Sequence, residues 1–255
     1  MSFHHLDRYA EVPSALTGVA PVVRVLGAVV IAVGAAVLPL GAWVQMAALA
    51  LVVAILVAAA RIPLRVFLVR LAAPFGFVLL LSFALPVLVP GHVLWSLGPV
   101  DVTDAGLLRF ASALGRAVPA LGAAVILVST LRFTELVEAL RELRLPRAVT
   151  TSLGLAYRYL YTLNDELERL RRAARSRNAG AGAASRRRLL LGITAAALAR
   201  SFARSERVHQ AMLARGYQDG IPSLEPHPVD HRSAASLAVL ILLVAAIAAS
   251  AHLAP

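Results

Sequence analysis

Cysteine and lysine are both absent from the 255-residue chain. Without cysteine there is no disulfide and no thiolate metal site. Without lysine, all 25 basic residues are arginine. That bias reads first as the mark of a GC-rich genome. It reads second as a use of the planar guanidinium, which grips carboxylates and phosphates in bidentate fashion. Charge is scarce: 15% of residues are acidic or basic, against about 25% in an average soluble domain. With 59% hydrophobic residues and a mean hydropathy of +0.76, the composition excludes an ordinary soluble domain and indicates an integral membrane protein.

Catalytic signatures are missing as well. No glycine-rich phosphate loop of the Walker type occurs, so any ATP binds on another chain. No Ser-His-Asp set or pair of carboxylates falls in a plausible cleft, and the apolar segments hold no acid–base pair, which argues against an intramembrane enzyme. His4 and His5 are adjacent on a flexible stretch and make weak ligands. The run "HPVDH" at 227–231 has an i,i+4 histidine pair, but Pro228 breaks the helix that such a pair requires. No metal or cofactor site is assigned.

What the chain does have is a string of apolar segments. Residues 1–21 are polar and mix acids with arginine, unlike the short basic start of a secretory signal. Val22–Leu38, Trp43–Ala60, Leu71–Val89, Leu107–Thr130 and Ala234–Leu253 each approach the ~17–25 residues that cross a bilayer. Pro74 and Pro86 interrupt the third, as bundled membrane helices allow. The positive-inside rule orients the set. Arg61, Arg65, Arg70 and the arginines from Arg132 to Arg232 fall on one side, and the loop 90–106, which has no arginine, on the other. Five crossings put the N-terminus in the cytoplasm and the C-terminus outside. Arg109 and Arg116 share one face of the fourth span, where snorkelling or pairing inside the bundle accounts for them better than a substrate role does.

The charge itself is concentrated. Between Arg132 and Arg215 stand 17 arginines against 7 acids, so nearly all of the net charge of +11 lies in one third of the chain. Three helices are predicted there. "RFTELVEALREL" at 132–143 is short and stops before Pro146. Arg147–Asn178 carries an apolar seam at Val149, Leu153, Ala156, Leu160, Leu163, Leu167, Leu170 and Ala174, spaced four and three, the pattern of helix–helix packing. Asp165→Arg169 and Glu168→Arg172 are i,i+4 pairs in the favourable order. After the small-residue linker "NAGAGAAS" at 178–185, a third helix runs from about Arg186 to Gly216, with Arg200, Arg204, Arg207 and Arg215 on one stripe. Both long helices end in cations, which the macrodipole favours, and glycine suits the position after the last turn. Capping explains one arginine per end. It does not explain why two helices repeat the arrangement, and a protruding basic end also fits an acidic groove on a partner.

These residues resemble the transmembrane T-component of energy-coupling factor (ECF) transporters, in its cobalt-type CbiQ branch. The likeness rests on "HLDRYA" at 5–10, "LGLAYRYLYTLNDELERLRRAARSR" at 153–177 and "RSERVHQAMLARGY" at 204–217, and it covers most of the chain. It implies an all-α polytopic membrane protein with about five transmembrane helices. A cytoplasmic coupling region holds two long amphipathic helices and a short one. The divisions are 1–131 for the first four spans, 132–232 for the coupling helices and 233–255 for the last span. It implies partners too: two ATP-binding cassette subunits, a substrate-specific membrane subunit and the lipid bilayer of the cell's inner membrane, with no nucleic acid. In the family, two Ala-Arg-Gly motifs dock into the ATPases. Ala214, Arg215 and Gly216 form the second motif intact, whereas Ser176, Arg177 and Asn178 stand in for the first and leave Arg175 as a rival contact. The implied role is a non-catalytic coupling subunit for cobalt uptake, with nickel or a vitamin as other cargoes. A different class of reading, in which the basic insert binds anionic lipid or nucleic acid, needs only charge and not helix ends. Nucleic acid would also call for aromatic stacking groups among the cations, and Tyr157, Tyr159 and Tyr161 lie mid-helix instead.

Overall fold

The computed structural model describes residues 18–97, 100–177, 183–218 and 230–253. His4, His5, His227, Asn178 and most of the 178–185 linker lie outside them. The described residues fall into two compact units, those within Ser2–Ala139 and His227–Pro255 and those within Leu140–Pro226.

The first unit is a helical bundle. It comprises α1 (Pro21–Val37), α2 (Trp43–Ala59), α3 (Leu64–Ser82), the one-turn α4 (Leu85–Leu88), α5 (Asp104–Thr130), most of α6 (Phe133–Glu142) and α9 (His231–Leu253). α5 sits at the centre, against α1, α2 and α3. Its buried face includes Ser112, Pro119, Ala123, Ile126 and Thr130, of which Ala123 and Ile126 join Ile31, Ala35, Leu49 and Val53 in the main core. The outer faces stay apolar: Val33, Leu51, Phe77, Leu80, Val128 and Leu242 are all exposed. An exterior of this kind suits lipid rather than water.

Contacts fix the directions of α1, α2, α3, α5 and α9. Arg24 at the start of α1 reaches the carbonyl of Thr130 at the end of α5, and the Gly41 N–H after α1 donates to Ser112 early in α5. α1 and α5 are therefore antiparallel. Arg70 in α3 donates to Ser129 at 2.7 Å, and Leu85 lies beside Gly106, so α3 also opposes α5. α2 runs with α5, since Met46 lies beside Gly115 and Val53 beside Gly122. α9 runs with α1: the Ala20 N–H faces Ser233 Oγ at 3.4 Å, Gly27 faces Leu240 and Gly34 faces Val244. A Cβ on Gly34 would collide with Val244 Cγ1, so only glycine permits this approach. Small residues at such crossings are the usual device of membrane bundles. The helices alternate in direction along the chain, and Arg24, Arg61, Arg132 and Arg232 collect at one end.

Three helices, Leu64–Leu88 (α3 with α4), Asp104–Thr130 and His231–His252, are long and apolar enough to cross a membrane, while α1 and α2 are shorter apolar helices of 17 residues each. The third apolar segment starts earlier than its hydropathy suggests. Pro63 is the N-cap of α3, so Arg65 and Arg70 belong to the helix rather than to a loop before it. Pro86 lacks an N–H for the turn at Ser82, and there α3 gives way to α4. The stretch at 90–106 is not a plain loop either. β1 (Val93–Leu97) pairs antiparallel with β2 (Val100–Thr103). Thr103 then caps α5, its Oγ1 accepting from the Gly106 N–H at 3.1 Å and donating to the Val89 carbonyl at 2.7 Å. The cap moves the start of the helix back to Asp104.

Among the described residues, two helices turn back through an arginine in the left-handed region. After α2, Arg61 has φ 53°, with N–H bonds Arg61→Ala58 and Ile62→Val57. After α6, Arg144 has φ 62°, with Arg144→Arg141 and Leu145→Leu140. Both are Schellman ends.

Candidate functional site

The second unit is an antiparallel hairpin of α7 (Arg147–Arg177) and α8 (Ala183–Ala214). No Pro interrupts either helix, and Pro146 stands just before the first turn of α7. The crossing is held by Glu166 of α7. Its Oε2 accepts from Arg204 Nη2 at 2.7 Å and its Oε1 from Arg200 Nη1 at 3.4 Å. Glu166 is largely buried, with 13% of its side chain exposed, so this pair is better shielded than a surface ion pair. Arg200 and Arg204 are one turn apart, which lets both guanidinium groups converge on one carboxylate. Nearer the start of α7 the two helices border a hollow of about 550 Å³, with Thr151, Leu155, Tyr159 and Leu163 on one wall and Val208 and Met212 on the other.

The end of α8 follows from the same sequence. Gly216 has φ +78°, its N–H bonds to the Leu213 carbonyl at 3.0 Å, and the Tyr217 N–H bonds to Met212 at 3.0 Å. This is a Schellman motif with glycine at its left-handed position and Tyr217 folded back beside Met212. It makes Arg215 the last residue before the turn. Arg215, Ala214 and Gly216 are exposed, and Arg215 has no ion-pair partner among the described residues. At the end of α7, Arg175 and Ser176 are exposed, and the Ser176 hydroxyl donates to the Ala173 carbonyl at 2.9 Å. Arg177 is the last helical residue, and Asn178 lies outside the described residues.

Because α7 and α8 are antiparallel, the two basic tips point to opposite ends of the hairpin. Thr151 and Met212 border the same hollow, so Arg215 lies near the start of α7 and Arg177 at its far end. The separation is roughly 40 Å at ~1.5 Å per residue.

Among the seam positions on α7, Val149, Leu160 and Leu163 are exposed and Leu153, Leu167 and Leu170 half-buried, while Ala174 is buried. Leu163 alone of the six leucine and valine positions borders the hollow; its other α7 residues are Ala148, Thr151, Ser152, Leu155, Ala156 and Tyr159. The face toward α8 thus includes hydroxyls and alanines that a search for leucines passes over. Of the two helix-surface pairs, Glu168–Arg172 forms at 3.3 Å. Glu166, which sequence reasoning missed, makes the interhelical contact. Its signal was position: it lies three residues after Leu163, on the same face as Tyr159.

A second cluster escaped the sequence altogether. Arg24, 7% exposed, donates from Nε to the Val19 carbonyl at 2.9 Å and from Nη1 to Thr130 at 2.7 Å, and meets Glu135 of α6 at 3.4 Å. Glu135 also accepts from the Arg132 N–H at 3.3 Å. Below it, Val22 and Val25 pack on Leu131 and Ala139. Arg24 therefore binds the beginning of α1, the end of α5 and the first turn of α6 together. Among the described residues no group of three His, Asp or Glu side chains is placed to hold a metal ion.

Comparison with known proteins follows the same lines. The family described as CbiQ, cobalt transport protein, matches residues 15–227. An uncharacterised protein of Methanocaldococcus jannaschii is 26% identical over 175 residues, which is 65% of this chain and 63% of that protein. The cobalt transport protein CbiQ of Salmonella typhimurium is 32% identical over 112 residues, 40% of this chain and 49% of the relative. The chain thus spans 49% to 63% of the length of these relatives. The family match takes in both long helices and all but the last of the membrane-type helices, and on that ground the chain belongs to the CbiQ family of cobalt transport proteins.

Proposed function

We propose that this chain is the transmembrane coupling subunit of an ECF-type transporter. In this reading it passes the ATP-driven motion of two ATP-binding cassette subunits to a substrate-binding membrane subunit, with cobalt as cargo. It performs no catalysis of its own. The observation that carries the reading is Arg215: exposed, without a partner among the described residues, and held at a helix tip by the Gly216 turn. An arginine so placed is poised for a bidentate contact with a carboxylate on another chain. The opposite placement of the α7 and α8 tips supports two partners rather than one, since a single groove does not reach both. Glu166 with Arg200 and Arg204 braces the hairpin, so that movement at one tip is carried along it. The family membership and the Salmonella typhimurium relative's name favour cobalt.

In the membrane, the reading takes α1, α2, α3 with α4, α5 and α9 as five crossings. Their alternating directions support this count, although α1 and α2, at about 25 Å, fall short of the ~30 Å hydrocarbon layer and require local thinning or flanking residues to complete the passage. The end that gathers Arg24, Arg61, Arg132 and Arg232 faces the cytoplasm, which leaves the end of α9 outside.

The test is an Arg215→Ala and Arg215→Lys pair, expressed with the ATP-binding subunits. Loss of one side of a buried charge pair costs roughly 2–5 kcal/mol, or at least about thirtyfold in affinity. Retention of the ATPases on the purified membrane subunit and ATP-driven cobalt uptake should both fall by that order in Arg215→Ala, and Lys should restore them only in part. Unchanged retention and uptake in both variants would defeat the proposal. Full rescue by lysine would point to simple attraction to anionic lipid.

A further inference from the structure

A slot of about 320 Å³ opens between α1, α2, α5 and α9. Its walls are residues 19–31, 52–56, 123–130 and 236–243, nearly all apolar. The walls on α2 and α5 come from the half of each helix nearest the arginine-rich end, and those on α1 and α9 reach just past the midpoint, so the slot lies toward that end of the bundle. Along α1 it extends for roughly 18 Å at ~1.5 Å per residue, close to the ~15 Å that one leaflet of a ~30 Å hydrocarbon layer provides. The outer rim is open, with Ile55 and Val239 at 60% and 65% exposure.

Polarity is confined to one end. Arg24, Thr130 and Ser236 border the slot there. Arg232 stands one helical turn before Ser236 on the same face of α9, is exposed, and has no ion-pair partner among the described residues. A groove one leaflet deep, greasy along its length and cationic only at its mouth, matches one class of molecule in charge and in polarity.

We propose that this slot binds an anionic phospholipid of the leaflet on the arginine-rich side, one acyl chain lying between α1, α2, α5 and α9 and the phosphate meeting Arg232. Arg24 is committed to carbonyls and to Glu135, so it forms the floor of the headgroup site while Arg232 supplies the free charge. The site rests on the embedding of these helices in a membrane and is independent of the coupling role.

The test uses the full chain in nanodiscs of phosphatidylglycerol, of phosphatidylcholine and of an equal mixture, followed by native mass spectrometry after mild delipidation. One phosphatidylglycerol should remain per chain, preferred over phosphatidylcholine by about fivefold, the factor expected of one arginine at an anionic surface. Arg232→Glu should erase the preference while lipid is still retained. Val239→Trp, which fills the rim, should reduce retention of both lipids, with circular dichroism confirming the helical bundle. Excess inorganic phosphate should displace nothing, because the acyl chain carries the binding. Equal retention of the two lipids by the unaltered chain, or a lipid count indifferent to Val239→Trp, would overturn the site and leave ordinary annular lipid. So would a lipid-free dimer whose second copy covers the slot. A chain that never enters the nanodisc would refute the membrane embedding itself, and a loss of ATPase docking would leave this result untouched.

Discussion

Arg24 offers the sharpest test of how the bundle end is held. Replacing it with methionine keeps much of the side-chain volume and removes the guanidinium. Two charge-assisted hydrogen bonds disappear, to the Val19 carbonyl at 2.9 Å and the Thr130 carbonyl at 2.7 Å. At the low end of the ~1.5–3 kcal/mol range for such bonds, this amounts to about 3 kcal/mol. Glu135 loses its cation but keeps the Arg132 N–H and is 24% exposed, so its stranding adds at most about 1 kcal/mol. The expected loss is therefore about 3–4 kcal/mol, with Glu135→Gln costing only about 1 kcal/mol because an amide still accepts from Arg132. Denaturant titration in mixed micelles, followed by circular dichroism, measures the total. Hydrogen exchange at the backbone amides of residues 133–142 locates it, since α6 should lose protection first. If Arg24→Met shifts stability by less than ~0.5 kcal/mol and α6 stays protected, the arginine is ornamental and the reasoning fails.

Glu166→Gln should loosen the α7–α8 crossing, because an amide cannot hold two guanidinium groups; cross-linking between cysteines introduced at 159 and 208 should become less efficient, and an unchanged yield would count against the brace. Gly34→Leu places a side chain where Val244 already stands, so an overpacking cost of roughly 1–3 kcal/mol is expected, read as a lower unfolding midpoint in detergent, while Gly18→Leu, with open space around it, should not matter. Arg144→Gly relieves a left-handed arginine at φ 62° and should stabilise by about 1 kcal/mol, whereas Gly216→Ala imposes the same strain and should destabilise the α8 end by a similar amount; hydrogen exchange at Tyr217 checks the second.

How much of this was legible in the residues depended on whether the signal was local. The ends of α7 and α8 were readable, because Pro146 and Gly216 act through their own backbone and need no neighbours. The C′ role of Gly216 followed from that same local chemistry. The start of α3 was not, since hydropathy saw Arg65 and Arg70 as a boundary when Pro63 was the actual cap and Arg70 is accommodated by Ser129 of another helix. The start of α5 at Asp104 was hidden too, since Thr103 caps it while bonding to the Pro86 and Val89 carbonyls, contacts invisible in a hydropathy profile. The face of α7 that borders the hollow beside α8 was likewise hidden: Thr151, Ser152 and Ala156 do not stand out beside leucines, yet they line it. Arg24 and Glu135 are far apart in sequence, and only the fold brings them together.

The parallel seating of α9 on α1 has a consequence for biogenesis. The two contact surfaces, such as Ala20 and Ser233, are 213 residues apart in sequence. If the helices insert as proposed, α1, α2, α3 and α5 are made before α9, and the faces of Gly27 and Gly34 that α9 covers meet only surrounding lipid in the interval. The whole α7–α8 segment must be synthesised before the missing wall arrives. On that reading the bundle closes late, and a chain stalled before residue 231 would leave the α1 face that carries Gly27 and Gly34 uncovered.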